Sequence, residues 1–358
     1  MNWLLAFIPV TVAIGHLAPG HNLLMFFAAA VAILPLAAWL GRTTEQLAER
    51  MGEGVGGLLN ATFGNAAELI IALAALRAGL HDVVKASIAG SIVGNILLVL
   101  GAAMLAGGLR RPEQQFNAAA ASSQATMLTL AAIALVLPAA YRSLLGEAAV
   151  AGLGTLSISI SLVLLCVYVL LLLFSLVTHS ARFAGTLIPR EPREEAHEAV
   201  WSTGRAAAVL AAATAMIAWM SEILVGAIEP MTQESGLSRM FVSVFVVAIL
   251  GNAAEHATAI TAALKNRMDL SLAIAIGSSV QVALFVAPVL VLTSLALGPA
   301  PMDLAFPAGL VLIILLSVLI TAQMAGDGRS DWLKGVQLLA VYLVLAITFF
   351  FVPVADSG

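Results

Sequence analysis

The 358-residue chain is 61% hydrophobic and only 10% charged, with a mean hydropathy of +1.04. Soluble proteins carry about 25% charged residues, so this composition excludes an ordinary soluble domain and indicates a polytopic membrane protein. The formal net charge of −4 is spread over the loops and gives no reason to expect nucleic-acid binding. The single cysteine, Cys166, excludes an intrachain disulfide.

The sequence predicts eleven membrane helices. A transmembrane helix needs about 20 mostly apolar residues, and several of these segments exceed that length, as tilted or broken helices do. The first segment lacks a basic region and a clear cleavage site, so we interpret it as a membrane helix rather than a signal peptide. The predicted helices lie near residues 3–18, 22–41, 54–79, 83–108, 117–138, 148–178, 203–228, 239–264, 270–297, 304–324 and 332–352. The predicted fold class is an all-α polytopic membrane protein.

One hydrophilic stretch, residues 179–202, separates the predicted helices into groups. It leaves an N-terminal helix (1–20), a group of five helices (21–178) and a second group of five (203–358). Because each group contains an odd number of helices, the two groups cross the membrane in opposite directions. This arrangement predicts two inverted five-helix repeats, which meet at a pseudo-two-fold axis in the membrane plane.

Lysine and arginine residues are distributed unequally between the two sides of the predicted membrane. With loops assigned alternately, twelve of the sixteen fall on one side, and Arg77, Lys85, Arg142 and Arg239 fall on the other. The positive-inside rule therefore predicts a cytoplasmic N-terminus and linker, and an external C-terminus. The alanine-rich composition and the lack of a targeting segment favour a prokaryotic cytoplasmic membrane.

The sequence GNAAE occurs twice, at residues 64–68 and again at residues 251–255, 187 positions later. Both copies lie inside apolar segments. An ionised glutamate at the centre of a bilayer is unfavourable by about 2.5–3.5 kcal/mol on insertion scales. Two such glutamates in matching halves are therefore difficult to explain as structural filler. They predict a cation site at the interface between the repeats.

Glu68 and Glu255, with Asn65 and Asn252, form the predicted cation site. Within each copy the two side chains are three residues apart, so they share one face of a helix. Carboxylate and amide oxygens suit hard cations, and Ca²⁺ takes six to eight oxygen ligands at about 2.3–2.6 Å. The sequence contains no thiolate or histidine cluster that would favour zinc or copper.

Each motif begins with a glycine, Gly64 or Gly251, which could let the backbone leave helical geometry and expose a carbonyl oxygen. Polar residues on the following helices could support the site or bind through water, although hydrogen bonding between helices explains them equally well. These residues are Ser91, Asn95, Ser278, Ser279 and Gln281.

Glu222 is a third acidic residue at predicted membrane depth and could relay protons to the central pair. Glu45 is its counterpart in the first half, where a solvated helix end is the simpler interpretation. His256 follows Glu255 directly but points about 100° away around a helix, so we interpret it as a packing residue rather than a ligand.

Two facing carboxylates without a cation repel each other and are poorly solvated. The predicted site should therefore hold either one divalent cation or protons, but not both. This mutual exclusion would couple the binding of one cation to the release of two protons.

The chain resembles the Ca²⁺/H⁺ antiporter (cation/proton exchanger) family of the cation/Ca²⁺ exchanger superfamily. The resemblance rests on LLNATFGNAAELIIAL, on GNAAEH, and on the segments GSIVGN and GSSVQVALF in the helices that follow. It implies that Glu68 and Glu255 bind Ca²⁺, with Asn65 and Asn252 beside them. The Na⁺/Ca²⁺ exchanger branch has Thr- and Ser-rich motifs ending in Pro-Glu or Pro-Asp, which this chain lacks, so the resemblance favours H⁺ as the counter-ion.

The resemblance further implies alternation between inward-open and outward-open states as helices 2 and 7 shift. The family's cytosolic acidic segment matches part of the linker. Because the acids there are mixed with arginines, two interpretations stay open: a regulatory segment and a segment that is only solvated. The acids concerned are Glu191, Glu194, Glu195 and Glu198.

The expected function is secondary active transport that exports Ca²⁺ in exchange for protons, with the lipid bilayer as surroundings and no cofactor. Exchange of Na⁺, K⁺ or Mn²⁺ is an alternative, and a glutamate-lined cation channel is another. An intramembrane metalloprotease would need a motif of the H-E-x-x-H kind, which the sequence lacks. The sequence leaves open whether the protein forms a homo-oligomer.

Overall fold

Helices account for nearly all of the regular structure. A computed structural model describes residues 2–18, 20–178 and 201–352. The four acids predicted to concentrate or sense Ca²⁺ lie outside the described residues: Glu191, Glu194, Glu195 and Glu198.

The described helices comprise an N-terminal helix and two groups, one before and one after residues 179–200. A 3₁₀ turn (Asn2–Ala6) leads into α1 (Phe7–Leu17). The first group contains α2 (Asn22–Phe63), α3 (Ala66–Arg77), α4 (His81–Val93), α5 (Leu100–Gly108), α6 (Ala118–Leu145) and α7 (Val150–Leu173). The second contains α8 (Thr203–Ser235), α9 (Arg239–Phe241), α10 (Ala248–Leu264), α11 (Met268–Gln281), α12 (Ala287–Thr293), α13 (Ala308–Ala325) and α14 (Trp332–Phe350).

Short irregular segments complete these elements. A 3₁₀ turn (Gly146–Ala149) joins α6 to α7. The π-helical segments are π1 (Gly94–Val99), π2 (Phe174–Thr178), π3 (Val242–Val247) and π4 (Val282–Val286). Strands β1 (Gln114–Gln115) and β2 (Arg329–Ser330) pair antiparallel, with Gln114 opposite Ser330. This pairing connects the loop before α6 with the loop before α14.

The all-helical membrane fold is confirmed, but the count of eleven spans is not. Within the described ranges, eight helical stretches are long and apolar enough to cross a membrane. Residues Ala118–Thr178 form one continuous 61-residue stretch of this kind, whereas α3 has only 12 residues. The predicted break between residues 41 and 54 is wrong, because α2 continues to Phe63. Polar residues such as those of RTTEQLAER end an apolar span but are good helix formers, so they do not end a helix.

An offset of 187 residues relates helical units of the first group to units of the second, as it relates the two copies of GNAAE. With this offset, the unit formed by α4, π1 and α5 corresponds to the unit formed by α11, π4 and α12. Ser279 Oγ donates a hydrogen bond to the backbone oxygen of Ile92 at 3.2 Å, across a separation of 187. Equivalent residues can touch only at the axis that relates the repeats, so the pseudo-two-fold axis passes between α4 and α11.

Small residues allow the helices of the two repeats to approach closely. A Cβ atom on Gly90 would overlap the carbonyl oxygen of Val244 and lie 2.8 Å from the Cβ of Ala248. On the other side of the core, a Cβ on Gly101 would lie 3.0 Å from the Cβ of Leu338. Interfaces of small residues are typical of membrane helices, which associate by close packing rather than by a hydrophobic driving force.

A buried ion pair holds the loop between α12 and α13 against α4. Lys85 Nζ donates to Asp303 Oδ1 at 2.8 Å and to the backbone oxygen of Ala305 at 2.9 Å. The Lys85 side chain is only 6% exposed. The backbone N–H of Leu304 donates to Ser157 Oγ on α7 at 3.0 Å, so the same loop is fixed from two sides.

We expect Gly90→Ala to lower the apparent melting temperature of the purified protein. The added methyl group meets backbone atoms that cannot move aside, and overpacking of this kind costs about 1–3 kcal/mol. Gly94→Ala is the matched control on the same helical unit, since no atom lies within 4 Å of its Cβ position. Equal melting temperatures for the two variants would contradict the close approach of the repeats at Gly90.

Lys85→Met should also destabilise the fold, because it leaves the Asp303 carboxylate without its cation. Removing one partner of a buried ion pair costs about 3–5 kcal/mol, and the 27% exposure of Asp303 places the effect toward the lower end. Thermal unfolding in detergent measures this change. The double variant Lys85→Met/Asp303→Asn should recover part of the loss, and a double variant less stable than Lys85→Met would exclude the ion-pair explanation.

Candidate functional site

Glu68 lies in the first turn of α3, directly after a break in the helices. Gly64 and Asn65 form a two-residue turn between α2 and α3, as expected for a glycine that interrupts a helix. Asn65 occupies the N-cap position, but its side chain makes no capping bond and is used elsewhere. The N-terminus of a helix favours a negative charge, so the position suits a carboxylate that is only 8% exposed.

Glu255 lies inside α10, where the helix runs through the second motif without a break. The expected departure from helical geometry at Gly251 is therefore wrong for this structure. A Cβ atom on Gly251 would lie only 3.2 Å from Cγ of Glu68. Gly251 thus provides the space in which the carboxylate of the other repeat approaches the helix, and close approach rather than unwinding explains the glycine.

Hydrogen bonds between the repeats assemble the site. Asn252 Nδ2 donates to Glu68 Oε1, and also to Ser91 Oγ at 3.2 Å. Asn65 lies in the first repeat, and its side chain forms hydrogen bonds with side chains of the second repeat. Its Oδ1 accepts from Ser278 Oγ at 3.0 Å, and its Nδ2 donates to Gln281 Oε1. Each motif asparagine therefore forms hydrogen bonds with side chains of the other repeat.

The two carboxylates are close enough to interact electrostatically, and each has a nearby serine. Ser91 Oγ accepts from the same Asn252 amide that donates to Glu68, and Ser278 Oγ donates to the Asn65 amide of the other motif. Glu68 Oε2 and Glu255 Oε2 are both buried and have no hydrogen-bond partner within the described part of the chain. Buried polar atoms are nearly always satisfied, so each carboxylate has one oxygen that requires a proton or a cation.

The donor set is composed of oxygen atoms from carboxylates, amides and hydroxyls. Among the residues that the structure describes, no group of three or more His, Cys, Asp and Glu side chains could hold a metal ion. His256 Nε2 lies 3.1 Å from Asn95 Oδ1, and Asn95 Nδ2 donates to Ser278 Oγ at 3.1 Å. Asn95 thus connects His256 to the cluster, so the imidazole reaches the site through an amide and a hydroxyl. The set suits a hard cation such as Ca²⁺.

Three sequence-predicted residues do not join the cluster. Glu222 is exposed on α8 and forms a 2.9 Å ion pair with Arg77, with 54% and 67% of their side chains exposed. Glu45 is exposed on α2. Ser279 Oγ donates to backbone oxygens rather than to the site. The sequence placed Arg77 only in a predicted loop, and no feature of the sequence predicts its contact with Glu222.

Comparison with known proteins gives consistent matches over the whole chain. A family model described as "Sodium/calcium exchanger protein" matches residues 21–177 and again residues 205–351. A "Ca(2+)/H(+) antiporter" of Aphanothece halophytica is 44% identical over 99% of this chain and 97% of that protein. The "Ca(2+)/H(+) antiporter ChaA" of Bacillus subtilis (strain 168) is 42% identical over 96% of each chain. The solved structure of native YfkE superimposes with a TM-score of 0.82, at 38% identity and 98% coverage of both chains.

Gly251→Ala should weaken cation binding without unfolding the protein. The new methyl group lies 3.2 Å from Cγ of Glu68 and displaces that side chain by a few tenths of an ångström. We expect the Ca²⁺ concentration for half-maximal thermal stabilisation to rise about tenfold, equivalent to about 1.4 kcal/mol. Gly226→Ala is the control, since no atom lies within 4 Å of its Cβ position. An unchanged Ca²⁺ midpoint in Gly251→Ala would show that this close approach does not matter for binding.

Proposed function

This chain belongs to the sodium/calcium exchanger protein family, among the Ca²⁺/H⁺ antiporters, and from that premise we propose that it exchanges Ca²⁺ for protons across the membrane. The observation that supports this proposal best is the pair of buried glutamates at the repeat interface. Glu68 and Glu255 each have one carboxylate oxygen that is buried without a partner among the residues described. A site of this kind needs positive charge, and both Ca²⁺ and protons supply it.

The coupling follows from competition for the same oxygen atoms. When Ca²⁺ is bound, both carboxylates must be ionised, because a protonated carboxyl group is a poor ligand for a cation. When Ca²⁺ leaves, two ionised carboxylates would repel each other inside the protein, so protons take its place. We therefore infer an exchange of two protons for each Ca²⁺ at Glu68 and Glu255. Asn65, Ser91 and Ser278 contribute neutral oxygens that complete the ligand shell together with water.

Alternating access is the second part of the proposal. Midplane sites between inverted repeats are typical of carriers, in which one group of helices moves against the other and opens the site to each side in turn. The predicted orientation places the N-terminus in the cytoplasm, so proton entry would drive Ca²⁺ out of the cytosol. In this scheme the Arg77–Glu222 ion pair connects α3, which carries Glu68, to α8.

Ca²⁺ uptake into proteoliposomes under an imposed pH gradient tests the proposal. Wild-type protein should accumulate Ca²⁺ only when the gradient is present. Glu68→Gln and Glu255→Gln each remove a charge that Ca²⁺ needs, so uptake by either variant should fall to the level of empty liposomes. Glu147→Gln is the matched control, because Glu147 is exposed in the turn between α6 and α7 and should leave uptake unchanged.

Three results would overturn parts of this proposal. Transport that survives in both Glu68→Gln and Glu255→Gln would exclude the two-carboxylate site. Uptake that follows a Na⁺ or K⁺ gradient without a pH gradient would replace the proton by another cation. Electrogenic flux far above carrier rates would indicate a channel.

A further inference from the structure

We propose that Gln281 is a positioning residue that turns the amide of Asn65 so that its oxygen, and not its nitrogen, faces the cation. The inference rests on the proposed function, because it concerns the same site. In this inference, one side chain of α11 sets the orientation of a ligand that the other repeat supplies.

The hydrogen bonds of Asn65 define this orientation. Gln281 Oε1 accepts from Asn65 Nδ2, which directs the amide nitrogen toward Gln281. The Asn65 oxygen then points to the opposite side, where Ser278 Oγ donates to it at 3.0 Å. Ser278 Oγ also accepts from Asn95 Nδ2 at 3.1 Å, and Asn95 Oδ1 lies 3.1 Å from Nε2 of His256, the residue next to Glu255. The Asn65 oxygen therefore faces the part of the cluster that lies beside Glu255.

The first repeat has no equivalent of Gln281. The offset of 187 that relates Glu68 to Glu255 also relates Gly94 to Gln281, and glycine has no side chain with which to accept a hydrogen bond. The amide nitrogen of Asn252 is accordingly free to approach its carboxylate, and it donates to Glu68 Oε1. The nitrogen of Asn65 is held by Gln281 instead.

The two halves of the site are therefore prepared differently for a cation. Around Glu68, an N–H group of Asn252 occupies one carboxylate oxygen and must turn away when a cation binds. Around Glu255, the Asn65 oxygen already has the orientation that a cation requires. In this inference Gln281 therefore spares the Glu255–Asn65 side an amide rotation that the Glu68–Asn252 side needs before a cation can bind.

The expected size of the effect on the KM for Ca²⁺ follows from known effects of residues that orient metal ligands. Loss of such a partner reduces metal affinity or activity by about 10–100-fold. Gln281→Met keeps the length of the side chain but removes the acceptor, so the Asn65 amide can turn its N–H groups toward the cation. We expect the KM for Ca²⁺ to rise by about 10–100-fold, with a smaller change in the maximal rate. Gln124→Met is the matched control, since Gln124 is a buried glutamine on α6 outside the cluster.

A double-variant cycle with Asn65→Asp separates positioning from a general packing defect. An aspartate presents oxygen in either orientation, so its rotation no longer matters to the cation. In the Asn65→Asp background, Gln281→Met should therefore change the KM by less than about threefold. Gln281→Glu retains an acceptor for the Asn65 amide and should stay closer to wild type than Gln281→Met. It also provides a second variant if Gln281→Met does not fold.

The outcomes distinguish this inference from the function on which it rests. Retained transport in Glu68→Gln and Glu255→Gln would remove the proposed function itself. If those two variants are inactive while Gln281→Met has a wild-type KM, the positioning role is overturned and the function stands. An equal KM penalty for Gln281→Met in the wild-type and Asn65→Asp backgrounds would likewise overturn it, because packing alone would explain that result.

Discussion

Two carboxylates in an apolar interior impose the constraint on which this structure depends. Neither Glu68 nor Glu255 can remain ionised and unpaired without a large desolvation penalty, and their proximity adds repulsion. The surrounding side chains reduce this penalty only in part. Asn252 satisfies one oxygen of Glu68, while the second oxygen of each carboxylate lacks a partner among the residues described. The proposed competition between a cation and protons rests on this unmet demand for positive charge.

The inverted repeats supply the two halves of the site, but they do not make them equal. The repeated motif places an Asn–Glu pair on each side of the pseudo-two-fold axis, and hydrogen bonds cross that axis in both directions. The backbone nevertheless breaks at Gly64 and remains helical at Gly251. The side chains differ as well, because Gln281 stands where the first repeat has Gly94. The repeated motif therefore gives both halves of the proposed site the same residues, whereas their backbone geometry and hydrogen-bond partners differ.

Close helix packing keeps these polar groups in place. Glycine at residues 90 and 251 lets elements from different repeats approach at distances that a methyl group would prevent. The Lys85–Asp303 ion pair fixes a loop against the start of α4, the helix that also carries Ser91. The stretches that contain α4 and α11 are mostly buried, whereas those of α2 and α8 are buried over half of their length or less.

The sequence by itself determined the membrane class and the all-helical fold, and it predicted the two groups of helices and the central residues. Composition excluded a soluble fold, and the duplicated GNAAE motif predicted a site at Glu68, Asn65, Glu255 and Asn252, of which Asn65, Asn252 and Glu68 form hydrogen bonds between the repeats. These features are readable because apolar length and exact repetition are local properties of the chain. The span count of eleven was not confirmed, because a helix can continue through polar residues that end a membrane span.

Only the tertiary structure decided which side chains meet. It placed Glu222 against Arg77 rather than in the central cluster, and it showed that Gly251 serves close approach instead of unwinding. It also gave Asn65 and Asn252 their different partners. Such contacts join residues from opposite repeats and depend on helix rotation and rotamer choice. Neither quantity is encoded in hydrophobic periodicity or motif spacing, because both are set by packing between elements distant in the chain.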